Sequence, residues 1–209
     1  MSDLLTLVQW LSPAFPVGSF AYSHGMEQAI AAGDVTSADD LAAWLEDILR
    51  LGAGRSDAIL LACALRGEAE DRLAAVARAL AASRERWEET MAQGRAFAEA
   101  ITGATGTPMD PLPYPVAVGV AARRLDLPPA QVAAQYLHAV ASNLVSAAVR
   151  FVPLGQAEGQ RVLAGLHATV AEIADQAAKA RVDDITAFAP RADLAAMRHE
   201  TMDVRIFRT

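Results

Sequence analysis

The chain has 209 residues, 53% of them hydrophobic, with a formal net charge of −7 and a pI near 5.1. That length supplies one sizeable core rather than two, since domains commonly run to roughly 100–200 residues. The acidic balance gives no electrostatic footing for a nucleic-acid backbone. Cys63 is the only cysteine, which excludes an internal disulfide framework, a CxxC zinc ribbon and a redox pair and fits a cytoplasmic address.

The first ten residues, "MSDLLTLVQW", carry an acid where a secretory leader would carry basic residues. No apolar run approaches the ~18 residues of a membrane span, so no membrane role is expected. Next, "SPAFPVGSFAYSHGMEQAI", residues 12 to 30, crowds prolines, glycines, serines, a tyrosine and a histidine in front of a helix expected over 19–32 and stopped by Gly33. In "SADDLAAWLEDILRLG", Leu41, Trp44, Leu45, Ile48 and Leu49 fall at i, i+3, i+4, i+7 and i+8, one stripe of a helix. Ser37 is its expected cap, Asp39 and Asp40 suit the positive end of the helix dipole, and Gly52 and Gly54 are stop signals.

Further helices are expected over 57–66, 68–81, 84–102, 114–124, 128–151, 156–181 and 190–199, with breaks at Gly67, Gly103, Pro128, Pro153 and Pro190. Within them, "VAAQYLHAVASNLVSAAVRF" is apolar on most sides, as a central core helix is, and the proline-rich "GATGTPMDPLPYP" reads as a surface loop. Strand-like alternation is absent and alanine, the best helix former, abounds. The expected fold is all-α: a single globular helical domain over residues 1–209, of about eight to ten helices, with an extended tail from about 200 to 209.

Catalytic signatures are missing. Lys179 is the only lysine and lies in "DQAAKARVDD", so there is no GxxxxGK[ST] phosphate loop. His24, His138, His167 and His199 lack the i, i+4 spacing that aims two imidazoles at one metal. There is no GxSxG elbow, and neighbours such as Ser23 and His24 point about 100° apart on a helix. His138 and His167 read as hydrogen-bonded core histidines, Trp10, Trp44 and Trp87 as packing, and Asp183 and Asp184 as a solvated helix end. Gly155 and Gly159 at a helix start are a weak anion signal. No catalytic residue, metal ligand or cofactor is assigned.

The closing "RHETMDVRIFRT" sets Ile206 and Phe207 between Arg205 and Arg208, outside any helix. Arginine and aromatic side chains are common interface anchors, so docking on a partner is favoured over packing on the chain itself.

Three stretches, "LSPAFPVGSFAYSHGMEQAI", "ASNLVSAAVRFVPLGQAEGQR" and "MRHETMDVRIFRT", together resemble the UreF family of urease accessory proteins, over about residues 4 to 209. The tail departs from the family pattern at Met202, Ile206 and Thr209, where Gln, Leu and Ser are usual, changes that keep its shape and charge. The resemblance implies an all-helical, non-enzymatic urease maturation factor, usually a homodimer. Such a protein joins UreD (also called UreH) and the GTPase UreG on apo-urease and couples or regulates GTP hydrolysis with nickel delivery. It further implies that Arg205, Ile206, Phe207 and Arg208 contact UreD. The amino-terminal motif falls on Pro16, Gly18, Ser19, Phe20 and Gly25 as shape-giving positions and on Tyr22, His24 and Glu27 as partner contacts. The family often carries Gln at the position of His24, which argues against an obligatory metal ligand there. A further expectation is that the tail is mobile in the free protein and orders on UreD. Two rival readings stand beside this one: a helical metallochaperone binding nickel through histidines and Cys63, and a small serine hydrolase using Ser19 or Ser23.

Overall fold

The computed structural model describes residues 1–209 and contains eleven α-helices, two single 3-10 turns and no strand. The helices are α1 (Ser2–Trp10), α2 (Met26–Ala31), α3 (Ala38–Leu51), α4 (Ala53–Leu65), α5 (Glu70–Leu80), α6 (Arg84–Thr105), α7 (Tyr114–Ala122), α8 (Pro129–Ala148), α9 (Gln156–Gly165), α10 (His167–Ala177) and α11 (Pro190–His199). The 3-10 turns cover Ser19–Ala21 and Val182–Asp184. The all-α expectation holds.

Local chemistry sets the boundaries. Ser37 caps α3 as expected, its hydroxyl accepting from the Asp40 amide while Asp40 accepts from the Ser37 amide, a reciprocal box that satisfies two otherwise unpaired donors. The five residues of the sequence stripe, Leu41 through Leu49, are the buried face of α3. The expected helix over 19–32 is instead a 3-10 turn and the short α2. Gly18, His24 and Gly25 take left-handed φ values of 72°, 55° and 76°, which right-handed helix cannot accommodate. The expected 156–181 helix divides at Leu166 into α9 and α10 and ends at Ala177. α1, over which no helix was expected, packs Leu7 and Trp10 inward. These two differences carry the count past ten.

The centre belongs to α4 and α7. Eight of the nine residues of α7 are buried, as is all of Ala58 to Ala64 in α4. The two helices nearly touch: a Cβ placed on Gly119 would stand 2.4 Å from the Leu61 carbonyl oxygen. Small residues make that approach available, and it buries α7 on all sides. α8, expected at the centre from its composition, covers this pair with one face, while Ala134, His138 and Ser142 stay partly exposed. An aromatic series then crosses the core. Phe97 of α6 packs against Trp10 and Tyr114, with ring centroids 6.2 and 5.8 Å apart, and Tyr114 packs against Tyr136 of α8 at 5.6 Å. Such tilted and edge-on pairs are worth ~0.5–1.5 kcal/mol each beyond the area they bury. The series ends at the Tyr136 hydroxyl, where the interior turns polar.

Candidate functional site: a charged seam between the two chain ends

Three separate segments meet at the carboxylates of α6: residues 22–27, the first turns of α6 itself, and residues 199–209. Ser83 caps α6, so Glu85, Glu89 and Gln93 follow at i, i+4 and i+8 on one face, and all three are buried. α2 and α11 lie against each other, and Gly25 allows it. A Cβ there would stand 2.5 Å from the Ala196 amide nitrogen, at a φ that side chains rarely adopt.

His199, wholly buried, sits between two carboxylates. Its Nε2 is 3.2 Å from Glu27 Oε2 and its Nδ1 2.9 Å from Glu85 Oε2. Imidazolium is the form that donates at both nitrogens. The carboxylates are themselves shared with the tail. Glu27 accepts the backbone amides of Ile206 and Phe207, each at 2.9 Å, and Glu85 pairs with the Arg205 guanidinium.

Glu89 forms the second half of the seam. It accepts from Gln93 Nε2 at 3.0 Å and from the Thr209 hydroxyl at 2.8 Å, pairs with Arg86, and lies 2.8 Å from His24 Nε2. Burial alone would raise its pKa, but Arg86 and His24 beside it hold it down at about 2. Asp57, which accepts from the Tyr136 hydroxyl at 3.0 Å, shows the opposite balance: burial raises its pKa against the opposing charge of Arg86. Backbone pairing completes the closure. The Ser23 amide donates to the Thr209 carbonyl and the Arg208 amide to the Ala21 carbonyl, both at 2.8 Å, while Asn143 of α8 donates to the Ser19 carbonyl at 2.8 Å.

The residues singled out in the sequence therefore divide into two sets. Tyr22, Glu27 and Phe207 are buried, and His24 is nearly so. Phe207 packs on Phe151 with centroids 5.2 Å apart. These four, read from sequence as partner contacts, have their side chains turned into the protein. The tail, expected to await a partner, is packed on its own chain, because Glu27 supplies acceptors for its amides and Phe151 a surface for Phe207. Phe20 and Ile206 remain exposed at 65% and 69%, Pro16 and Arg208 are exposed, and Arg205 reaches solvent while paired. Gly18 and Ser19 shape the turn that leads in.

Glu85, Arg86, Glu89, Gln93, His199, Asp57 and Asn143 were missed by sequence reasoning. The i, i+4, i+8 polar spacing on α6 was the available signal, and exposed helix faces carry the same pattern. Ser23 donates to the Thr209 carbonyl and accepts from the Glu27 amide, and the His24 ring faces Glu89. The Ser23 hydroxyl and the His24 ring are thus engaged with other groups rather than with each other. His138 is half-buried rather than a core histidine, and His167 is exposed.

Fold and seam define an all-helical protein in which buried Glu27, Glu85, Glu89 and His199 fasten the two chain ends together. The sequence model of the UreF family matches residues 35–167. Over 206 residues the chain is 60% identical to the urease accessory protein UreF of Cereibacter sphaeroides strain KD131, covering 99% of this chain and 98% of that one. It is 56% identical to the UreF of Jannaschia sp. strain CCS1, covering 99% and 94%, and 46% identical to that of Bradyrhizobium diazoefficiens, covering 99% and 91%. The chain belongs to the UreF family of urease accessory proteins.

Proposed function

We propose that this protein is a non-enzymatic scaffold of urease maturation. It joins UreD/UreH and the GTPase UreG on apo-urease and couples or regulates GTP hydrolysis with delivery of the nickel cargo, acting in the cytoplasm as a homodimer. Family membership supports urease maturation as the process. The observation that carries the scaffold reading is the backbone pairing of Arg208 with Ala21. It joins the segments bearing Phe20 and Ile206, so two exposed apolar side chains lie on adjoining stretches whose inner sides are fixed by the seam. Exposed apolar groups on a rigid support are suited to docking.

In this reading Phe20, Arg205, Ile206 and Arg208 meet UreD, while Tyr22, His24, Glu27 and Phe207 act from beneath by holding that surface in shape. The test is co-expression with the cognate UreD and UreG followed by size exclusion. The wild-type chain is expected to elute with both partners, and Phe20→Asp to elute alone with unchanged helical circular dichroism. Undiminished co-elution of Phe20→Asp together with Ile206→Asp would remove this surface from the assembly.

A further inference from the structure

Packing of α8 against α10 brings together His138 and His167, which no sequence spacing connects. Their ring centroids are 5.4 Å apart with the planes inclined by 54°. The other two histidines of the chain are engaged by carboxylates, His24 by Glu89 and His199 by Glu27 and Glu85. No carboxylate pairs with either ring of this couple.

Simple geometry decides what such a pair can hold. A zinc-type ion binds imidazole nitrogen at about 2.0–2.1 Å, and the ring centre lies roughly 1.1–1.2 Å further along the bond, so the ion stands about 3.2 Å from each centroid. Two rings subtending a tetrahedral angle at one ion then have centroids about 5.2 Å apart, against about 4.5 Å for adjacent square-planar positions. The 5.4 Å separation lies nearer the tetrahedral value than the square-planar one. Both rings also project from helices fixed by buried neighbours, Leu137 and Ala141 on α8 and Val170 and Ile173 on α10, so the spacing is held by the core rather than by a loop.

We propose that His138 and His167 form a two-imidazole surface site for a divalent transition-metal ion that prefers tetrahedral nitrogen coordination, with Zn²⁺ as its type. Water completes the coordination, since no cluster of three or more His, Cys, Asp or Glu side chains is poised for a metal in this chain. Two protein ligands make a weak, exchangeable site rather than a structural one. The proposal is independent of the urease reading and stands or falls on the isolated protein.

Metal-free protein titrated with Zn²⁺ alone in a calorimeter tests it. Expected are one equivalent of Zn²⁺ per chain for the wild type and at least a tenfold loss of affinity, on the order of one removed ligand, in His167→Gln. His167 is exposed, so that substitution leaves the fold intact. His138→Gln is expected to match it, with both variants keeping wild-type circular dichroism. Absence of Zn²⁺ uptake by the wild type overturns the proposal, as does uptake that both variants retain at full affinity.

Discussion

Glu27 Oε2 accepts the backbone amide of Phe207 at 2.9 Å, a bond between residues 180 positions apart in the chain. The same carboxylate takes the Ile206 amide and faces the buried His199. One side chain thus fixes the direction of the tail and, through His199, the end of α11. Glu27→Ala leaves two amides and the Nε2 of the buried His199 ring without their acceptor. Breaking a buried pair by removing one partner destabilises by roughly 3–5 kcal/mol. Urea denaturation is expected to show a loss of that size, and the Ile206 and Phe207 amides to lose hydrogen-exchange protection. Protection that survives the substitution would assign the clasp to other groups.

Glu89 gives the seam a definite pH dependence. Its folded-state pKa, about 2, lies below the ordinary 4.5. A depressed carboxyl stabilises the fold above its unfolded value, and that stability drains away as pH falls through the folded value. The Glu89 contribution is therefore fully present above about pH 4.5 and lost progressively toward about pH 2. Glu89→Gln is expected to be less stable than wild type at neutral pH and to show a shallower decline of unfolding free energy across that acid window. Parallel declines in the two proteins would show that Glu89 is not the responsible group.

How far the sequence spoke for the structure depended on the range of the forces involved. The α3 stripe and the Ser37 cap were legible because both are local: a 3.6-residue period and a side chain three residues from its partner. α1 escaped notice because its burial rests on only Leu7 and Trp10. The helix expected over 19–32 failed at His24 and Gly25, whose left-handed conformations break it where α11, from the far end of the chain, lies close against Gly25. Glu27 illustrates the same limit at the site. Its importance could be read from the motif, but its inward direction depended on His199 and on tail amides that no local pattern connects to it.

Gly25 can be separated from Gly18 by experiment, although both have left-handed φ. Nothing lies within 4 Å of a Cβ built on Gly18, so Gly18→Ala carries only the backbone strain of that conformation, about 1–2 kcal/mol. At Gly25 the same change also drives a methyl group into the Ala195–Ala196 backbone, which no side-chain rotation relieves. Gly25→Ala is expected to lose clearly more stability in urea than Gly18→Ala and to loosen α11 from α2. Equal midpoints for the two variants would contradict the close approach.

Phe207 and Ile206 are neighbours with opposite environments, which lets stability be separated from docking. Phe207 is 6% exposed and packs on Phe151, whereas Ile206 is 69% exposed and only its amide is engaged. Truncating a buried phenylalanine costs about 3–5 kcal/mol in a full core, and a residue on a terminal segment lies toward the lower end because the segment can detach. Phe207→Ala is expected to destabilise the fold and to weaken UreD co-elution together. Ile206→Asp keeps the Glu27 bond and the Phe207 packing, so its melting temperature is expected to stay near that of wild type while UreD co-elution falls. Loss of stability in Ile206→Asp would make the tail a packing element alone, because an exposed side chain can then no longer be distinguished from the buried ring beside it.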